Sequence, residues 1–103
     1  MASWLSRVRD GIHTRAREGN VRLTVKALTE ARDLDLGVSD VIDALLALSP
    51  TDSAGRLRST RSSEWLYVFK PVVAETVLYV KVALRNDCVV VSFHKDEGND
   101  EDN

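Results

Sequence analysis

The sequence predicts an α+β fold, with N-terminal helices packed on one face of a C-terminal antiparallel sheet. Three observations carry the expectation. Up to Pro50 the apolar residues recur at three- and four-residue steps, beyond it they alternate, and the last two alternating runs are joined by the short turn Arg85-Asn86-Asp87. Helices first and strands afterwards is the α+β order. The chain has 103 residues, 44% of them hydrophobic and 29% charged, which describes one ordinary globular domain.

In the first helix Trp4, Leu5, Val8, Ile12 and Ala16 share a face, with Arg7, Arg9, Arg15 and Arg17 on the others. Gly11 weakens its middle and Gly19-Asn20 stops it. A second helix, from about Thr24 to Leu34, aligns Val25, Leu28 and Ala31; Thr24 can cap it and Gly37 ends the run. A third opens at Ser39 or Asp40, buries Val41, Ile42, Leu45, Leu46 and Leu48, and ends at Ser49-Pro50. Residues 53–63 read as a loop or a frayed edge strand. Residues 64–69 alternate loosely, and Pro71 limits how centrally that strand can pair. Over 76–84, Val77, Tyr79, Lys81 and Ala83 face one way, and Leu78, Val80, Val82 and Leu84 the other. Over 88–94, regular alternation puts Val89, Val91 and Phe93 on one side, and Cys88, Val90, Ser92 and His94 on the other. Trp4, Val8, Ile12, Val25, Leu28, Val41, Leu45, Leu46, Val89 and Val91 are the expected core between the helices and one sheet face.

The net charge of −2 conceals a segregation. Residues 96–103 carry five acids and no base, which leaves fourteen bases against eleven acids, a net +3, on residues 1–95. The domain is therefore expected to span 1–95, followed by a disordered acidic tail over 96–103 that competes for a basic face. The four acids of residues 33–49, with no base among them, separate two basic regions. Such one-sided charge suits a polyanion.

Two histidines, His13 and His94, and the lone Cys88 provide no ligand cluster, so no metal is expected. There is no glycine-rich phosphate loop, no serine elbow and no apolar run of bilayer length, so neither a small-molecule cofactor nor a membrane is expected. With one cysteine and no visible signal peptide, a reducing cytoplasm is the expected location.

The C-terminal half holds the chemistry-bearing residues. Tyr79 and Lys81 share a strand face, His94 and Lys95 end the neighbouring strand, and Arg56, Arg58 and Arg61 precede the sheet. Tyrosine, histidine and cations without carboxylates suit metal-independent RNA cleavage. A base takes the ribose 2′-OH proton, cations steady the phosphate, and an acid protonates the leaving 5′-oxygen. The plain alternative is a solvated sheet face with an ordinary tyrosine and a surface histidine.

Several segments bear a resemblance in their order. Residues 17–24 (Arg-Glu-Gly-Asn-Val-Arg-Leu-Thr), Ala27-Leu28 and Leu34-Asp35-Leu36-Gly37 come first. Ala47-Leu48-Ser49-Pro50-Thr51-Asp52, then Trp65 with Val68-Phe69-Lys70-Pro71, follow. Val77-Leu78-Tyr79-Val80-Lys81 and the terminal Val89-Val90-Val91-Ser92-Phe93-His94-Lys95 complete the series. Together they resemble the MqsR family, toxins of toxin–antitoxin pairs with a RelE-like fold. The resemblance implies a toxin that cleaves mRNA by 2′-OH attack and is held by a cognate antitoxin; a catalytically inactive RelE-like module binding RNA or protein is the alternative. It implies an active site made of a lysine from a Phe-Tyr-Lys-Ser-Met segment, the glutamine after the tryptophan, the strand tyrosine and a terminal lysine. Tyr79 matches the tyrosine directly. His94 stands at the terminal lysine with Lys95 next to it, Leu66 stands at the glutamine, and Gly55 falls under the first lysine with Arg56 beside it. The expected catalytic set is accordingly Tyr79, His94 and Arg56, one arginine of residues 56–61 closing over the other two. Arg58, Arg61, Lys70, Lys81 and Lys95 are expected to bind RNA.

Overall fold

The computed structural model describes residues 3–97. Its elements in order are α1 (Ser3–Arg17), β1 (Val21–Leu23), α2 (Val25–Asp33), α3 (Val38–Leu46), a 3₁₀ turn (Pro50–Asp52), β2 (Ser53–Arg58), β3 (Trp65–Phe69), β4 (Val72–Val73), β5 (Thr76–Leu84) and β6 (Cys88–Lys95). The strands form one sheet in the order β1-β6-β5-β3-β2, with β4 paired to the start of β5. Neighbours are antiparallel except β1, which runs parallel to β6. The fold class is the expected α+β, and β1 is the element that the helical period concealed. Three residues between two helices carry no alternation of their own; they are a strand because Val21, Arg22 and Leu23 meet Cys88, Val89 and Val90. The suspected frayed segment is the edge strand β2. Among the described residues no helix is long and apolar enough to cross a membrane.

Helix boundaries follow local chemistry. Thr24 Oγ1 accepts the Ala27 N–H at 3.1 Å and so caps α2, a contact worth about 0.5–2 kcal/mol. Asp40 Oδ2 accepts the Gly37 N–H at 2.8 Å and fixes the start of α3. The helices bury Val8, Ile12 and Ala16 of α1, Ala27 and Ala31 of α2, and Val41, Ala44 and Leu45 of α3 against one sheet face. That face supplies Phe69, Leu78, Val80, Val82, Cys88, Val90 and Phe93.

Three expected helix residues stay outside this core, Leu28 among them: it is only half-buried, because Ala27 and Ala31 take the inner positions of α2. Val25 is 83% exposed because α2 turns Ala27 and Ala31 inward from its first turn, which leaves Val25 on the solvent side. Leu46 is exposed at the end of α3, where Leu45 and Leu48 take the inner positions.

A larger departure lies in β6. Lys81 pairs with Ser92 but Val82 pairs with Val90, so Val91 is an extra residue opposite no partner. This bulge breaks the alternation. Cys88, Val90 and Phe93 therefore face the helices, whereas regular alternation had put Phe93 with Val89 and Val91. Val89 is buried on the other face, opposite Ala83, and Val91 is half-buried. Thr24 holds the bulge, donating its N–H to the Val90 carbonyl at 3.1 Å and its hydroxyl to the Val91 carbonyl at 3.3 Å.

Of the expected acidic tail, Asp96 is fastened: its N–H donates to the Val77 carbonyl at 2.9 Å, and its carboxylate lies 3.5 Å from Lys70 Nζ. Residues 98–103 lie outside the described residues.

Candidate active site

The sheet has one face covered by helices and one left open. On the open face β5 and β6 place Tyr79 directly opposite His94. Their rings stack at a centroid distance of 5.1 Å and an interplanar angle of 11°. One pair further along, Lys81 stands opposite Ser92. The register that makes these pairs depends on the bulge: it lets Phe93 go inward while Ser92 and His94 stay outward. His94 Nδ1 lies 2.8 Å from the Lys95 carbonyl oxygen. A carbonyl can only accept, so Nδ1 carries a proton, and in the neutral ring the lone pair is on Nε2.

The other end of this face is built from ion pairs, Arg22 with Asp87 at 3.1 Å and Arg85 with Glu64 at 2.7 Å. These charges neutralise each other. Around Tyr79 and His94 the balance is positive, since Lys81 has no hydrogen-bond or ion partner among the described residues. Lys70, at the end of β3, pairs with Asp96.

The arginines are elsewhere. Arg56 pairs with Tyr67, which pairs with Val82, and both partners belong to the helix side of the sheet. Arg56 lies with its Cζ 4.7 Å from the Trp4 ring centroid and 4.0 Å from that of Trp65; Arg58 lies 4.2 Å from Trp65. Trp4 in turn stacks on Tyr67 at 5.8 Å. This cation–aromatic stack orders the edge strand, each contact contributing about 0.5–1 kcal/mol where exposed. It also means that Arg56 does not close over Tyr79 and His94. It is two strands away and on the opposite face, so one phosphate cannot touch all three. Alternation along a strand of uncertain extent could not reveal this; the register of β2 does.

Arg58 donates from Nη1 to the Ser63 carbonyl at 2.8 Å, and Arg61 is exposed in the same turn. Lys95 ends β6 opposite Leu78 and is exposed. Gly55, which the resemblance sets under a lysine, has φ +97°, beside the irregularity between Ser53 and Arg56, with open space around its Cα hydrogens. A side chain there would be strained by the backbone rather than by neighbours. Leu66, which the resemblance sets at a glutamine, lies opposite Leu57, and its side chain has no polar atom.

Two residues near the site gave no sequence signal. From α2, Lys26 Nζ reaches Ser92 Oγ at 3.0 Å and Glu30 Oε2 at 3.0 Å. Glu30 Oε1 accepts the Phe93 N–H at 2.9 Å, where β1 has ended and the edge of β6 would otherwise be bare. Burial pushes the Glu30 carboxyl up, but the Phe93 amide and the Lys26 ammonium outweigh it and hold it below the ordinary range. Cys88 is buried against the helices, and burial pushes its thiol up to about 12, which suits a core residue and not a nucleophile. Among the described residues, no three of His, Cys, Asp and Glu gather to hold a metal.

Helices on one side and a tyrosine–histidine–lysine cluster on the other define a small α+β protein whose polar centre sits on the uncovered side of its sheet. A family model described as Motility quorum-sensing regulator, toxin of MqsA, matches residues 5–95. The chain belongs to this family, whose fold is RelE-like and whose members are toxins of toxin–antitoxin pairs, with an antitoxin as partner. No curated protein matches it.

Proposed function

We propose that this toxin is an endoribonuclease that cuts mRNA by attack of a ribose 2′-OH on the adjacent phosphate, leaving a 2′,3′-cyclic phosphate and a 5′-OH. The observation that carries the reading is the stacked Tyr79–His94 pair on the open sheet face, with Lys81 one pair away. His94 Nε2 takes the 2′-OH proton as the 2′-oxygen bonds to phosphorus. The bond to the 5′-oxygen breaks, and the Tyr79 hydroxyl supplies the proton that this oxygen needs. Lys81 steadies the charge on the phosphate. No step needs a metal or a small-molecule cofactor.

Arg56, Arg58 and Arg61 lie away from the stacked pair, Lys95 follows His94 in β6 opposite Leu78, and Lys70 follows β3 and is paired with Asp96; all five act in this reading as flanking RNA contacts. The loop arginines suit phosphate through their bidentate fork, and the Trp4 and Trp65 rings beside them suit bases. Cytoplasmic mRNA is the substrate.

One observation favours a second reading. Leu66 and Gly55 stand where the family pattern has polar side chains, and a site so reduced would suit a catalytically inactive module binding RNA or protein. Cleavage of a labelled RNA in chelator, with and without ribosomes, separates the two. We expect wild type to cut, His94→Ala to be slower by about 10²–10⁴-fold, and Tyr79→Phe to be impaired. Equal rates in all three remove the pair from the mechanism, and an inert wild type leaves the binding module.

A further inference from the structure

We infer that Lys26, carried by a helix and not by any strand of the site, is its second phosphate-binding cation: with Lys81 it seats an RNA phosphate over Ser92, one pair along from Tyr79 and His94. The inference rests on the proposed function and names a residue that neither the family pattern nor the strand alternation points to.

The geometry assembles it from three fixed points. Ser92 is 2% exposed and opposite Lys81, and it shares the open face with His94 two residues on. Lys26 Nζ lies 3.0 Å from the Ser92 hydroxyl, which brings the ammonium to the same patch. Cross-strand side chains on one face stand about 5 Å apart at Cβ, so Lys81 and the hydroxyl under Lys26 are direct neighbours. An ammonium has three donors. One points to Ser92, one to Glu30 Oε2 at 3.0 Å, and the third has no partner among the described residues.

Glu30 does not cancel the site. Its other oxygen is committed to the Phe93 amide, and its side chain is 21% exposed against 60% for Lys26. The carboxylate is thus a tether at the sheet edge, and the cation is the part presented to solvent. Lys26 and Lys81 approach the patch from opposite sides of β6, one from α2 and one from β5. A cation on the Ser92 hydroxyl and a second on the residue paired with Ser92 is an arrangement for an anion, and the anion that a strand crossing Tyr79 and His94 would carry there is its next phosphate.

The test uses the full chain and a fluorescent single-stranded oligoribonucleotide methylated at every 2′-oxygen. It can bind but has no nucleophile, so binding is read apart from cleavage. Lys26→Gln keeps a donor for Ser92 and Glu30 and removes only the charge. It should weaken binding at low salt by about three- to tenfold and flatten the slope of log affinity against log salt by about 0.7, the loss of one single-strand phosphate contact. Lys26→Arg should restore both. A purely structural lysine would leave the slope unchanged, so a Lys26→Gln protein with wild-type affinity and slope overturns the inference. So does a wild type that fails to bind the oligonucleotide. Cleavage of unmodified RNA by wild type is scored separately: a protein that cuts while Lys26→Gln binds normally loses only this inference, whereas one that binds through Lys26 but never cuts loses only the nuclease.

Discussion

Phe93 and His94 are neighbours in one strand, yet they belong to opposite sides of the sheet and to different physics. Phe93 is fully buried beneath the helices with Val90, Leu78 and Ile12. His94 is half-buried against Tyr79 on a face that no helix covers. On the first side the interactions are apolar, close-packed and insensitive to salt; on the second they are charged, partly solvated and screened. Stability and the proposed chemistry are separated by the thickness of one sheet, so each can be altered with little effect on the other.

The sharpest way to break this comparison is to truncate both neighbours. Phe93→Ala should lose about 3–5 kcal/mol of stability by urea unfolding, and His94→Ala less than about 1 kcal/mol. Similar losses would mean that the faces are not independent. Next in size, Leu45→Ala should lose about 2–4 kcal/mol, and Val90→Ala about 1–3 kcal/mol, with Val91→Ala at less than half the Val90 loss because the bulged residue is only half-buried. Arg56→Ala probes the covered side's own edge. It should lose about 1–2 kcal/mol by releasing Trp4 and Trp65, and lower RNA affinity in a salt-dependent way. The pH optimum of cleavage should stay in place, since Arg56 does not touch the stacked pair.

The smallest effect joins the two sides. The Glu30 carboxyl is held below its ordinary value in the folded chain, so its contribution is present above the unfolded carboxylate range and is lost as pH falls through the folded value. Thermal melts should therefore show wild type losing stability below about pH 4.5 more steeply than Glu30→Gln, with the two curves parallel near neutrality.

The helical half was legible in the sequence because α1 and α3 repeat their apolar residues over several turns, and Val8, Ile12, Val41 and Leu45 are buried as their spacing predicts. The short strand β1 was not, because three residues have no period and become a strand only through a partner sixty-odd positions away. The proposed chemistry needs Tyr79 and His94 on one face, and they share the open one. The route differs from the one expected. Regular alternation placed His94 with Val90, whereas the bulge sets them on opposite sides and brings His94 to Tyr79 by register. Arg56 was misplaced because nothing in residues 53–58 marks which side a glycine-containing edge strand turns outward. Lys26 gave no signal at all. An i,i+4 pair with Glu30 on a helix reads as an ordinary solvated face until the helix is seen to lie along the edge of β6.

The Val91 bulge also fixes how β6 tolerates change in length. Before it the inward positions are even-numbered, Cys88 and Val90; after it the inward position is odd, Phe93. Removing one residue here would not shorten the strand so much as reverse its second half, carrying a histidine into the helix-covered layer and a phenylalanine out to water. The turn at Arg85–Asp87, by contrast, can gain or lose a residue without exchanging any side chain between the two layers. Length variation in this hairpin should therefore collect at its tip, and position 91 should keep its extra residue whatever side chain it bears.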